Sequence, residues 1–145
     1  MHVGKLLMIC ALKVLTGCAS SGIKYTDAAA APARLKPGQG RVYFYRTVLI
    51  GLAIQPDIKL NGQAVGAAIP GGFFFVDRPR GSYVATATTE VESRLEFTLA
   101  AGETKYIRTN LGMGVFAGRI HFELVGKPEA EADLASLNRT NVAAR

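Results

Sequence analysis

The sequence predicts an all-β fold, an antiparallel β-sandwich or small barrel of about seven to eight short strands. The 145-residue chain has 16 Gly, 6 Pro and no Trp, which suits strands joined by turns better than a helical bundle. Beyond Gly40, turn residues recur about every 8–12 positions, and the segments between them alternate apolar and polar residues. With 49% hydrophobic and 19% charged residues, the chain is apolar enough to fold as one domain.

Residues 1–17 are predicted to form a lipoprotein signal peptide. Lys5 precedes an apolar run at 6–12, which is shorter than the about 20 residues that a transmembrane helix needs. The segment ends in Leu15-Thr16-Gly17-Cys18, which resembles the bacterial lipobox. The resemblance implies that a diacylglycerol joins the Cys18 thiol and that the chain is cut before Cys18. The alternative is a buried N-terminal helix that contains these four residues by chance.

Cleavage would change the charge and the thiol content of the chain. Lys5 and Lys13 would be lost, which lowers the formal net charge of +6 by two. Cys10 would also be lost, and lipidation of Cys18 would leave no thiol for a disulfide or a nucleophile. Ala19 follows the lipid-bearing Cys, which by resemblance implies the outer membrane. The expected location is therefore the bacterial cell envelope, with acyl chains such as palmitate holding the chain on the outer membrane, facing the periplasm.

The mature chain is predicted to have three parts. Residues 18–39 are small and polar, with Pro32 and Pro37, and are predicted to be a flexible tether carrying the lipidated Cys. The β-sandwich domain occupies 40–126, and a short helix and tail occupy 127–145. The helix is expected from Pro128 to Asn138, and its thin apolar face would contain Ala132, Leu134 and Leu137.

Asn61-Gly62 carries the clearest local signal, a two-residue type I′ turn in which both residues need a positive φ. This turn predicts a hairpin that pairs Leu60 with Gln63 and Ile58 with Val65. The other strands are predicted at 41–46, 73–76, 83–88, 94–99, 104–110 and 119–125, with a turn cluster at 77–81. In the last strand, alternation directs Ile120, Phe122 and Leu124 inward and His121 and Glu123 toward solvent.

Several of these segments carry a family resemblance. The segments 40–46, 60–66, 73–75, 79–83 and 101–106 occur in an order that resembles a domain of unknown function found in small bacterial lipoproteins, and PEGA-like envelope β-domains. The match extends over about Gly40 to Val125. It implies a compact β-sandwich on a lipid tether and supplies no catalytic residues. Arg80 departs from the plain Pro-Gly turn of simpler members, which implies a longer loop.

His121 and Glu123 are the candidate pair for acid–base chemistry, because both lie on one face of the predicted strand. A small envelope hydrolase or sugar-active enzyme using this pair is the alternative function. A solvated cross-strand pair explains them more simply, and metal sites need three or four ligands, so no catalytic residue, metal or cofactor is predicted. The short glycine pairs at 38–40 and 112–114 do not continue as nucleotide-binding motifs.

Two apolar stretches, 47–54 and 111–118, lack strict alternation. Burial is the expected state, because small domains need all the apolar area they can bury. If exposed, they would form an interaction surface with the arginines of the 77–81 turn, for an unknown envelope protein or lipid. Its candidate residues are Leu49, Ile50, Leu52, Arg78, Arg80, Val115 and Phe116. The sequence thus predicts a non-catalytic binding or structural module attached to the membrane through the lipid on Cys18. Nucleic acid is not an expected partner.

Overall fold

Two β-sheets packed face to face form the centre of the protein. The computed structural model describes residues 22–140, so the predicted signal peptide, the lipobox and Cys18 lie outside the described residues. The elements in chain order are α1 (Tyr25–Ala30), β1 (Gln39–Arg46), β2 (Asp57–Leu60), β3 (Gln63–Ala67), β4 (Gly72–Pro79), β5 (Gly81–Thr88), β6 (Glu92–Leu99), β7 (Thr104–Gly112), β8 (Arg119–Val125), α2 (Lys127–Leu134) and β9 (Asn138–Arg139).

The strand order is β8-β7-β1-β4-β9 in the first sheet and β3-β2-β5-β6 in the second. The prediction of an all-β, sandwich-like fold with a short C-terminal helix is confirmed. The first sheet is mixed rather than antiparallel, because β7 lies parallel to β1 and β9 lies parallel to β4. Parallel neighbours need a long connection, and the chain between β1 and β7 supplies one by forming β4 and all four strands of the second sheet.

The space between the sheets holds the main hydrophobic core. Phe44 and Phe74 of the first sheet stack with ring centroids 5.3 Å apart. Ile58 of the second sheet packs in the same cluster and is completely buried. These residues alternate with outward-facing ones along their strands, as the predicted period of two requires.

The β2–β3 hairpin confirms the turn and corrects one pair. Asn61 and Gly62 have φ values of 47° and 82°, as a type I′ turn requires, and Leu60 pairs with Gln63. The predicted pairing of Ile58 with Val65 is wrong, because a register shift places Ile58 opposite the next residue, a glycine. That glycine lies against the Phe74 ring, where a Cβ would come within 2.5 Å. The bulge lets this glycine and Val65 both turn toward the core.

The outer face of the first sheet is also covered, which differs from the prediction of a flexible tether up to residue 39. Tyr25 in α1 is buried, with its ring centroid 5.9 Å from Tyr43 and 5.4 Å from Phe73. Its N–H donates a hydrogen bond to the carbonyl of Leu137 at 3.0 Å. The reason is the aromatic outer face of β1 and β4, which would otherwise remain in water.

The C-terminal segment forms a shorter helix than predicted. The helix ends at Leu134, and Ala132 is exposed, so the predicted apolar face is wrong at that residue. Leu134 and Leu137 are buried as expected, but Leu137 follows the helix and leads into β9. The prediction that Leu124 points inward is also wrong, because Leu124 is 45% exposed and lines an open groove beside Lys127 instead of packing in the core. Within residues 22–140, no helix is long and apolar enough to cross a membrane.

Candidate functional site

Each of the two apolar stretches contributes an exposed loop, so the expectation of burial is wrong for these loops, although Leu111 packs against the core. The first loop, 47–56, follows β1, and the second, 113–118, joins β7 to β8. Phe116 is 95% exposed and Ile50 is 79% exposed. We call the exposed apolar side chains of both loops the apolar loop surface: Leu49, Ile50, Leu52, Met113, Val115 and Phe116.

Both loops lie at the same end of the first sheet. They extend from β1 and from β7, which are parallel neighbours, so the carboxyl ends of the two strands meet at one edge. Leu111 connects the loops at their base. A Cβ added at Gly51 in the first loop or at Gly118, the last residue of the second, would come within 2.5 Å of a Leu111 methyl carbon. The six apolar side chains therefore belong to one end of the molecule.

Arg46, the last residue of β1, holds the first loop in place. Its guanidinium is completely buried, and burial lowers the pKa of Arg46 from its ordinary value. Nη1 donates hydrogen bonds to the carbonyls of Ile54 at 2.6 Å and Ala68 at 3.1 Å. Nη2 donates to the carbonyls of Ile50 at 2.6 Å and Gly51 at 3.3 Å. One buried cation thus satisfies loop carbonyls that would otherwise need water.

Glu90, in the turn between β5 and β6, holds the second loop. Its side chain is 13% exposed and binds Arg119 Nε at 2.8 Å. It also accepts hydrogen bonds from three consecutive backbone N–H groups, those of Val115 at 2.8 Å, Phe116 at 2.9 Å and Ala117 at 3.4 Å. These hydrogen bonds lower the pKa of Glu90 to about 2, and the N–H of Phe116 makes the largest contribution to the shift. Glu90 therefore holds the loop as an ionised group at neutral pH.

The two anchors give the loops a common design. Arg46 donates hydrogen bonds to carbonyl groups of the first loop, and Glu90 accepts hydrogen bonds from N–H groups of the second. The apolar side chains of both loops are exposed. Each loop thus combines exposed apolar side chains with backbone polar groups that are already hydrogen-bonded within the fold.

Arg78 and Arg80 lie at the opposite end of the sheet from the loops. In the β1–β4 pair, Arg46 is opposite the first residue of β4, whereas Gln39 is opposite its last. Eight strand residues, about 25 Å, therefore separate the arginines from the apolar loop surface. Arg78 is also part of β4 rather than of a turn, which corrects the predicted turn cluster at 77–81. The structure brings together the apolar candidates and leaves the two arginines apart.

Asp77, inside that corrected turn cluster, has a structural role. It forms two hydrogen bonds with the nearly buried Arg41, at 2.7 and 2.9 Å. The guanidinium of Arg41 also lies 4.2 Å from the centre of the Phe75 ring. These contacts explain why β4 continues as a strand beyond Val76.

His121 and Glu123 lie on an exposed face of β8, as predicted. The Glu123 carboxylate is already engaged, since it accepts hydrogen bonds from Arg108 at 2.9 Å and from Asn110 at 3.0 Å. Arg108 also binds two carboxylates of α2, and its hydrogen bonds with Glu123 and then with these carboxylates raise its pKa. The cluster therefore ties α2 to the sheet. Within residues 22–140, no three His, Cys, Asp or Glu residues come together in a way that could hold a metal ion.

Comparison with known proteins places both anchors within a family. Residues 36–120 match the family described as a protein of unknown function, DUF2846, which is more than half of the chain. The chain belongs to the DUF2846 family. The DUF2846 match includes both loops, Arg46 and Glu90, and it stops before His121, Glu123 and α2. The predicted resemblance to a domain of unknown function is thereby confirmed.

This DUF2846 protein is similar to a bacterial protein at low identity. An uncharacterized protein of Haemophilus influenzae is 28% identical over 102 residues, which cover 70% of this chain. The matched region spans 61% of that relative, less than two thirds of its length. No solved structure matches the chain significantly.

Three residues of the site were missed by the sequence reasoning. Met113 is 97% exposed and lies inside the second apolar stretch, so the stretch itself was the signal. Arg46 is the last residue of an aromatic strand, and an arginine at such a position is usually exposed, so the sequence does not indicate its burial. Glu90 is separated from its loop by more than twenty residues, and no local pattern indicates that contact.

Proposed function

We propose that this DUF2846 protein is a lipid-anchored, non-catalytic module of the bacterial cell envelope that binds through its apolar loop surface. The anchor would be Cys18, in the lipobox Leu15-Thr16-Gly17-Cys18, with Ala19 favouring the outer membrane and an orientation toward the periplasm. The proposal extends the resemblance to PEGA-like envelope β-domains.

The observation that carries the proposal is the exposure of Phe116, Ile50 and their neighbours on loops held by buried or paired charges. Exposing so many large apolar side chains at one end costs free energy in water, and a domain of this size would gain stability by burying them. A binding surface accounts for that cost.

The polar residues support a non-catalytic role. Glu90, Glu123 and Arg108 each bind partners within the fold, so their charges hold loops and helix α2 in place. A general acid or base needs an accessible carboxylate or imidazole positioned against a substrate, and engaged carboxylates are poorly suited to that task.

Labelling with palmitate tests the anchor. We expect radiolabelled palmitate to enter the full-length protein in bacterial cells and to be lost in Cys18→Ser. Ser20→Ala is the matched control, because it changes a neighbouring small residue and keeps the thiol. Equal labelling of wild type and Cys18→Ser would refute lipidation at this residue.

A photo-crosslinking residue at position 116 tests the surface in intact cells. We expect cross-linked products at position 116 and far fewer at position 80, which is exposed at the other end of the sheet. Equal yields at both positions would contradict the proposed binding surface.

A further inference from the structure

The chain leading from Cys18 enters the fold near the end that carries the loops. The Ile23 carbonyl accepts a hydrogen bond from the N–H of Arg139 at 2.7 Å, and Arg139 belongs to β9. β9 pairs with the first two residues of β4, and that end of β4 lies opposite Arg46 at the base of the first loop. β9 is two strands from β1, about 10 Å.

The connection to the proposed anchor is short. The five residue steps from Cys18 to Ile23 span at most about 18 Å. An acylated Cys18 would therefore keep this part of the first sheet within that distance of the bilayer surface. The apolar loops extend from the same end of the sheet, so they lie within reach of the same membrane.

The backbone of the loops suits an apolar environment. A peptide group that leaves water without a hydrogen-bond partner carries a large free-energy penalty. Arg46 already binds the carbonyls of Ile50 and Gly51, and Glu90 already binds the N–H groups of Val115 and Phe116. The outermost groups are thus Phe, Met, Leu, Ile and Val side chains, the kind that partition into the boundary between headgroups and acyl chains.

Two basic residues lie near the entry of the chain. Lys24 and Arg139 are both exposed and lie next to each other through the pairing of Lys24 with Asn138. The guanidinium of Arg139 lies 4.6 Å from the centre of the Phe75 ring. Cations at this position would face the headgroups of an anionic membrane, which attract them.

We infer that the apolar loop surface inserts into the same bilayer that holds the lipid on Cys18, so that the domain is attached both by its acyl chains and by its loops. The inference rests on the proposed function, and its ligand is a lipid surface rather than a protein. Two attachments hold far more firmly than one, and they also fix the orientation of the domain.

Tryptophan fluorescence tests the insertion, because the chain contains no Trp. Phe116→Trp introduces a single reporter at a site that is 95% exposed. The acylated full-length variant is reconstituted into phosphatidylethanolamine and phosphatidylglycerol vesicles with brominated acyl chains. We expect the emission to shift to shorter wavelength and to be quenched by the bromines. Arg80→Trp, at the opposite end of the sheet, is the matched control and should show neither effect.

A second pair of variants separates insertion from a general effect of apolar residues. Ile50→Asp, combined with Phe116→Trp, should abolish the quenching because it places a charge in the inserted surface. Leu124→Asp, combined with the same reporter, should leave quenching intact, since Leu124 is exposed on β8 away from the loops. Quenching at position 116 no stronger than at position 80 would overturn the inference, as would cross-linking from position 116 mainly to a protein or to a second copy.

The two proposals fail in different ways. Palmitate incorporation at Cys18 without quenching at position 116 would overturn loop insertion and leave the lipid anchor standing. Absence of palmitate, with quenching on addition of the protein to preformed vesicles, would overturn the anchor and leave loop insertion standing.

Discussion

At the scale of single residues, Arg46 is the most consequential side chain of the site. It is buried and binds four carbonyls, three of them in the first loop. Arg46→Ala leaves these carbonyls without a donor, and we expect it to lower the free energy of unfolding by about 3–5 kcal/mol. Arg94→Ala, which removes an exposed ion pair with Glu96, should cost under about 1 kcal/mol. Urea denaturation measures both, and equal losses would contradict the role of Arg46.

Glu90 makes stability depend on pH in acid. Its pKa is lowered from the usual 4.5 to about 2 by backbone N–H groups and Arg119. A lowered pKa contributes stability that is fully present above pH 4.5 and is lost as the pH falls toward 2. We expect Glu90→Gln to be less stable than wild type at pH 6 and the difference to shrink between pH 4.5 and 2. Thermal unfolding of both proteins at several pH values measures this difference in stability. A difference that stayed constant between pH 6 and 2 would argue against an ionised Glu90.

At the scale of secondary-structure elements, local chemistry made most strands predictable. The Asn61-Gly62 turn and the alternation in β6 and β8 depend on neighbouring residues, so the sequence was sufficient to find them. The parallel pairing of β1 with β7 and the short β9 depend on contacts between distant residues, which periodicity does not record. The loops were misjudged for the same reason, since their exposure depends on anchors at Arg46 and Glu90.

Helix α1 is an element that the sequence did not indicate as part of the folded unit. The Tyr25 ring packs against two aromatic rings, and the residue is buried. We expect Tyr25→Ala to lower the free energy of unfolding by about 2–4 kcal/mol, as for other large-to-small changes in a core. Thr26→Ala, exposed in the same helix, should change it by under about 0.5 kcal/mol. Urea denaturation measures the free energy of unfolding of the two variants. If Tyr25→Ala left it unchanged, the prediction of a flexible tether would hold for α1.

At the scale of the whole molecule, the two ends of the first sheet differ in chemistry. One end carries the apolar loop surface, and the other carries Arg80 and the ion pair between Arg41 and Asp77. This asymmetry results from topology, because the parallel pairing of β1 and β7 places both loops at the same end. An antiparallel pairing would have separated the loops, so the mixed sheet is what assembles the surface.

The asymmetry predicts that stability and apolar exposure can be changed separately. Phe116→Ser and Ile50→Ser replace side chains that are 95% and 79% exposed, so each should change the free energy of unfolding by under about 0.5 kcal/mol. Together they should strongly reduce the fluorescence of a dye that binds apolar surfaces. Leu134→Ala, in the buried contact of α2, should do the opposite, lowering the unfolding free energy by about 2–5 kcal/mol. If the loop variants destabilised the protein as much as Leu134→Ala, the loops would be part of its core, and neither a partner nor a membrane would be needed to explain their apolar side chains.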